Sequence, residues 1–199
     1  TDHNTCRNCP AFMAAAREYG VLAVPGMEIN TSEEVHAVCL FPNLEAALCF
    51  DSYVYGKLIR FPNNEAIFGK QQIYNEQDQV CGTEPNLLIN ATEISFDGLW
   101  ELVRSYGGVM FPAHVDKTAN SLIANLGFIP PDSRFRTAEV KDLKKLHQLQ
   151  KDNPYLDKCR IISNSDAHYL EHMNEPELTL QVEEKTVQGI IDALLDGAG

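Results

Sequence analysis

The sequence predicts an α/β fold built on a mainly parallel sheet. Three observations predict it. Apolar runs of strand length alternate with segments of helical spacing. The strand-like runs are almost continuously apolar, as strands covered on both faces are. Gly or Pro punctuates many of the joins between the two kinds of segment. A chain of 199 residues suits one domain with room for an insertion.

Residues 11–19 (AFMAAAREY) are Ala-rich, and Gly20 stands where a helix stop belongs. Residues 21–24 (VLAV) read as a buried strand punctuated by Pro25-Gly26, and residues 35–41 (VHAVCLF) as a second. Asn43 is placed to cap a helix from Leu44 to about Leu58. Residues 60–94 are irregular, with a polar run at Tyr74–Asp78 and breaks at Gly82 and Pro85. This segment is too long for an ordinary connection. It is read as an insertion or long substrate-side loop containing a short hairpin around 71–80.

Regularity returns at residue 95. Phe96, Leu99, Trp100, Val103 and Tyr106 follow helical spacing, Gly107-Gly108 ends that helix, and Val109-Met110-Phe111 is a short buried strand. A helix is expected over 118–126 and a strand from Phe135 to Val140. Leu143, Leu146 and Leu149 suit another helix, ended by Pro154. Residues 159–163 (CRIIS) complete the strands, and 186–195 form a last amphipathic helix. No internal repeat or low-complexity tract is visible.

Composition narrows the function. Hydrophobic residues make up 44% and charged residues 22%, ordinary proportions for a globular protein. The formal net charge of -12 argues against non-specific binding to nucleic acid or to an anionic membrane. No run approaches the ~18 to 20 apolar residues of a membrane span. The opening Thr1-Asp2-His3-Asn4 does not read as a signal peptide. The six Cys (Cys6, Cys9, Cys39, Cys49, Cys81 and Cys159) are therefore read as free thiols, and the cytoplasm is the expected location. Cys6-x-x-Cys9 lacks a second Cys pair at finger spacing and is read as structural.

The ligand-type residues fall mostly at strand ends. Asp2-His3 opens the chain, Glu28 follows VLAV in the run PGMEIN, and His36 lies in VHAVCLF. His114 follows Val109-Met110-Phe111, and Asp166 and His168 follow Ile161-Ile162 in SNSDAH. In a closed parallel barrel, residues beyond the C-terminal strand ends converge on one face. His nitrogens with carboxylate oxygens suit zinc, manganese or iron. Such ions support phosphate ester hydrolysis. Lys117 shares a loop with His114 and is the expected contact for a substrate phosphate, ahead of Arg60, Arg134 and Arg136. Asn4 and Asn164 flank ligands and are placed to orient them. His147 and His172 read as surface residues.

The runs Thr1-Asp2-His3-Asn4, Pro25-Gly26-Met27-Glu28, Val35-His36, Pro112-Ala113-His114 and Asn164-Ser165-Asp166-Ala167-His168 resemble, in order, the motifs of the polymerase and histidinol phosphatase (PHP) domains. The resemblance spans residues 1–168 and implies a distorted seven-stranded β/α barrel holding up to three divalent metals. It implies that Glu28 bridges two metals, and that His36 and His114 complete the second metal's ligands. Asp166 would bind the first metal, and His3 and His168 the third. Water activated by the metals, not a side chain, would attack phosphorus, with Glu28, His114, Asp166 and Lys117 as the catalytic set. The family's first His-x-His motif is absent. By this resemblance residues 1–199 form one PHP domain lacking its first strand or two, with the first and third metal sites depleted.

The implied activity is hydrolysis of a small phosphate ester, such as histidinol phosphate or a nucleotide, with no membrane partner. Two other readings follow from the same residues. One is a non-catalytic metal-binding or regulatory module; the other is a redox or iron–sulfur protein using the Cys pair.

Overall fold

The computed structural model describes residues 1–175 and 178–197. Among the described residues the architecture is mixed α/β with three small sheets. Strand β1 (Asp2–His3) lies parallel to β2 (Gly26–Asn30), which pairs antiparallel with β3 (His36–Leu40). Helix α1 (Cys9–Glu18) joins β1 to β2, and α2 (Leu44–Lys57) follows β3. The Asn43 side chain accepts the Ala46 N–H and so caps α2, as the sequence predicts.

The hairpin expected around 71–80 forms as β4 (Gln72–Tyr74) and β5 (Val80–Thr83), after a single helical turn, α3 (Glu65–Phe68). Helix α4 (Phe96–Ser105) leads into β6 (Val109–Pro112), which completes the first sheet beside β3. Helix α5 (Leu122–Leu126) precedes β7 (Thr137–Glu139). Helix α6 (Leu146–Asp152) precedes β8 (Arg160–Ile162), parallel to β7, and α7 (Val187–Asp196) follows.

Two expectations are corrected. The pairings β2–β3 and β3–β6 are antiparallel, so the first sheet is mixed rather than mainly parallel. Residues 31–35 are too few for a parallel crossover, which needs about a dozen. They instead make a tight turn, with Glu34 N–H on the Thr31 carbonyl at 2.9 Å. Residues 21–24 are not a strand; Val21 and Leu22 are exposed. The strand is the next run, GMEIN, every residue of it buried. A Cβ on Gly26 would meet the Cys39 carbonyl oxygen at 2.2 Å, so this approach of β2 to β3 requires glycine.

The main core packs Met27, Ile29, Phe41, Phe50, Leu99 and Phe135 behind the sheet. A smaller cluster, including Val38, Phe111, Ile191 and Leu194, seats α7 against the other face. Buried strands with apolar residues on both sides leave the polar side chains of β2, β3 and β7 as exceptions that need partners. Those exceptions build the site.

Candidate metal centre

Glu28 stands mid-strand in β2. In the sheet register its neighbours are His3 on β1 and Val38 on β3, and His36 opens β3 opposite Asn30. His114 follows β6, where the chain turns with φ 31°. These placements bring three imidazoles around one carboxylate. Glu28 Oε1 accepts from His36 Nδ1 at 3.0 Å and from His114 Nε2 at 3.2 Å, while Oε2 lies 3.8 Å from His3 Nδ1. The His3 and His36 ring centroids are 5.0 Å apart, and those of His36 and His114 5.5 Å.

Two ligand groups result. His3, Glu28 and His36 each offer one donor atom, with all three atoms within 4.8 Å of one another. Glu28, His114 and Asp166 do the same, so Glu28 belongs to both. Three buried ring nitrogens, His3 Nδ1, His36 Nε2 and His114 Nδ1, have no hydrogen-bond partner among the described residues. Buried polar atoms in folded proteins are nearly always partnered. Three imidazoles around one carboxylate, each with a buried ring nitrogen left over, make a donor set of the kind that zinc, manganese or iron takes; of the leftover atoms, His3 Nδ1 is the one that faces Glu28. The residues present therefore fit a divalent cation.

The electrostatics agree. Burial alone would raise the Glu28 carboxyl, but hydrogen bonds from His114 and His36 and the neighbouring His3 hold it well below the usual carboxylate range. Burial, partly opposed by Glu28, lowers His3, which favours the neutral imidazole that a metal requires.

Asp166 also adopts a left-handed backbone conformation, φ 50°, as does Asn4, φ 51°. Such conformations are uncommon outside glycine and recur at functional sites. Asn4 explains its own: its buried amide donates to the Leu88 and Asn90 carbonyls and accepts the Asn30 N–H. It thereby ties the segment after β1 to both β2 and the 60–94 segment. Lys117 Nζ donates to Asp166 Oδ2, so the cation and the acid meet. His168 is exposed; its Nδ1 lies 3.2 Å from the Asp166 carbonyl and its ring centroid 5.9 Å from that of His3. It belongs to neither ligand group.

Glu139 was not among the sequence candidates. It ends β7, is 3% exposed, and accepts the His114 backbone N–H at 3.3 Å and the Asn164 amide at 2.8 Å. Burial raises its carboxyl, with the Asn164 hydrogen bond opposing. An acid at the end of an expected strand was the available signal. A cavity of about 740 Å³ opens over Glu28, Glu139, Asp166, His3 and His168, within the range of small-molecule sites.

The other sequence candidates lie elsewhere or do other work. Arg134 pairs with Glu101 and lines a separate cavity beside Trp100. Arg60 lies over the Tyr55 ring. Cys6 and Cys9 belong to neither ligand group; Cys6 N–H donates to Asp51 Oδ1. His147 and His172 are exposed, as expected.

No protein-family model matches the chain, and no curated protein does. Among solved structures, the chain is similar to the novel lesion-specific endonuclease PfuEndoQ from Pyrococcus furiosus, with 15% identity and a TM-score of 0.49. The match covers 87% of this chain and 39% of that one, so the chain spans about two-fifths of that protein's length.

Proposed function

We propose that the chain carries a metal-dependent phosphoesterase centre that hydrolyses a small phosphate ester, within a PHP-type barrel. The supporting observation is the shared carboxylate: Glu28 sits between two ligand groups whose buried imidazoles keep nitrogens unpartnered. Divalent cations bound there would supply positive charge to the phosphoryl oxygens and acidify a water to attack near neutral pH.

The chain's own residues do the rest. His3, His36 and His114 present ring nitrogens, and Glu28 and Asp166 present carboxylate oxygens. Glu139 fixes the backbone at His114, and through Asn164 it steadies the segment that carries Asp166. Lys117, on the turn after His114, is placed to exchange its contact with Asp166 for a phosphoryl oxygen.

The test combines metal analysis by plasma mass spectrometry with phosphomonoester hydrolysis after loading with manganese, iron or zinc. Bound metal with metal-dependent turnover is expected. Bound metal without turnover of any ester would instead make the domain a non-catalytic metal-binding module. Cleavage of an oligonucleotide but of no small ester would move the substrate to nucleic acid.

A further inference from the structure

The metal cavity has a neighbour. A second cavity of about 370 Å³ lies between the segment after β1 and the 60–94 segment, and Asp2, His3 and His168 line both. Its polar lining is largely committed to itself. Arg7 pairs with Glu84. Asn8 donates to Asp2 at 2.9 Å. The Gln71 amide donates to the Glu84 and Asn86 carbonyls and accepts the Leu88 N–H. Beside the exposed Lys70, the side chains left to meet a ligand are mainly apolar: Phe68, Ile73, Leu87, Leu88 and Ile89. Phe68 is 51% exposed although it is a large aromatic, on a helical turn that buries none of its residues. Exposed apolar side chains gathered at a cavity mark a binding surface.

From this contiguity we infer that the second cavity holds the leaving group of the substrate, and that this group is an uncharged, ring-bearing organic moiety packed on Phe68. Arg7 and Glu84 neutralise each other, and Asp2 and Lys70 carry opposite charges, so the lining has no net charge that would select an ionic group. The inference rests on the phosphoesterase reading, because it is the phosphate at the Glu28 centre that points the rest of the ester this way.

The probe is 1-naphthol, the alcohol that hydrolysis of 1-naphthyl phosphate releases together with inorganic phosphate. Fluorescence titration of the protein with 1-naphthol in chelator reads the pocket without metal or turnover. Saturable binding is expected, weakened about tenfold in Phe68→Ala and kept in Phe68→Tyr. In the metal-loaded protein, Phe68→Ala should lower the preference for 1-naphthyl phosphate over methyl phosphate, as a ratio of kcat/KM, by a similar factor. Phe68 is exposed, so its truncation does not endanger the fold. Absent saturable binding, or binding as tight in Phe68→Ala, overturns the pocket assignment. Hydrolysis of both esters without naphthol binding overturns it while leaving the phosphoesterase reading intact. Naphthol binding with hydrolysis of neither ester overturns the phosphoesterase reading, and the leaving-group role with it.

Discussion

Glu28 is a buried carboxylate whose cost must be met by its neighbours. A buried carboxylate loses its hydration and must recover it from partners. Here the partners are imidazoles, which hold its folded pKa below the unfolded value of about 4.3. A depressed pKa contributes stability that is complete above the unfolded pKa and is lost as pH falls through the folded one. In chelator, Glu28→Gln should therefore be less stable than the parent at neutral pH, and the gap should narrow as pH drops below about 4. Urea unfolding across pH measures it, and a gap independent of pH would contradict the assignment. His114→Ala should lower turnover by at least ~100-fold while circular dichroism keeps its shape, the loss expected when an interaction with the reacting groups is removed. Lys117→Ala should raise KM for a phosphorylated substrate; unchanged kinetics would remove Lys117 from the site.

At the scale of elements, β2 is the instructive case. Its approach to β3 leaves no room for a side chain at Gly26. Gly26→Ala should therefore cost about 1–3 kcal/mol by overpacking, read from the urea midpoint. Most helices were legible, because capping and spacing are local: Asn43, Ser95 and Thr186 each accept a backbone N–H from their own first turn. β2 was not. The run VLAV looks like a strand by composition, while GMEIN carries a carboxylate and an amide. The polar residues belong to the strand because the site does, and apolar periodicity is blind to that. Strand direction was misread for a related reason: alternation of elements does not say which connections are too short to cross over.

For the whole molecule, the candidate ligand residues could be picked out because chemistry-bearing residue types are few; the resemblance implied that Glu28 serves two metals but put His36 with His114, whereas in the structure His36 groups with His3 and His114 with Asp166. The spacing of residues 28, 36, 114 and 166 does not by itself give that grouping; it comes from the register and the turn after β6. Glu139 escaped because an acid ending a strand looks like a surface residue until the fold buries it. Ligand binding to the folded state alone stabilises by about 2.7 kcal/mol at 100 times Kd. For a chain of this size that amounts to a rise in Tm of roughly 5 to 10 °C. Manganese or zinc should produce such a rise in scanning fluorimetry, chelator should reverse it, and Glu28→Gln should blunt it. No shift with any divalent ion would argue against a metal centre.

The sharing of Glu28 has a thermodynamic consequence. Were both groups to take a cation, each ion would draw on the same negative charge, so filling either would lower the affinity of its partner by an equal factor. Loading would then be stepwise, with a tight ion and a loose one. Chemistry that required both would follow the looser of the two, and its rate would report how much free metal surrounds the protein.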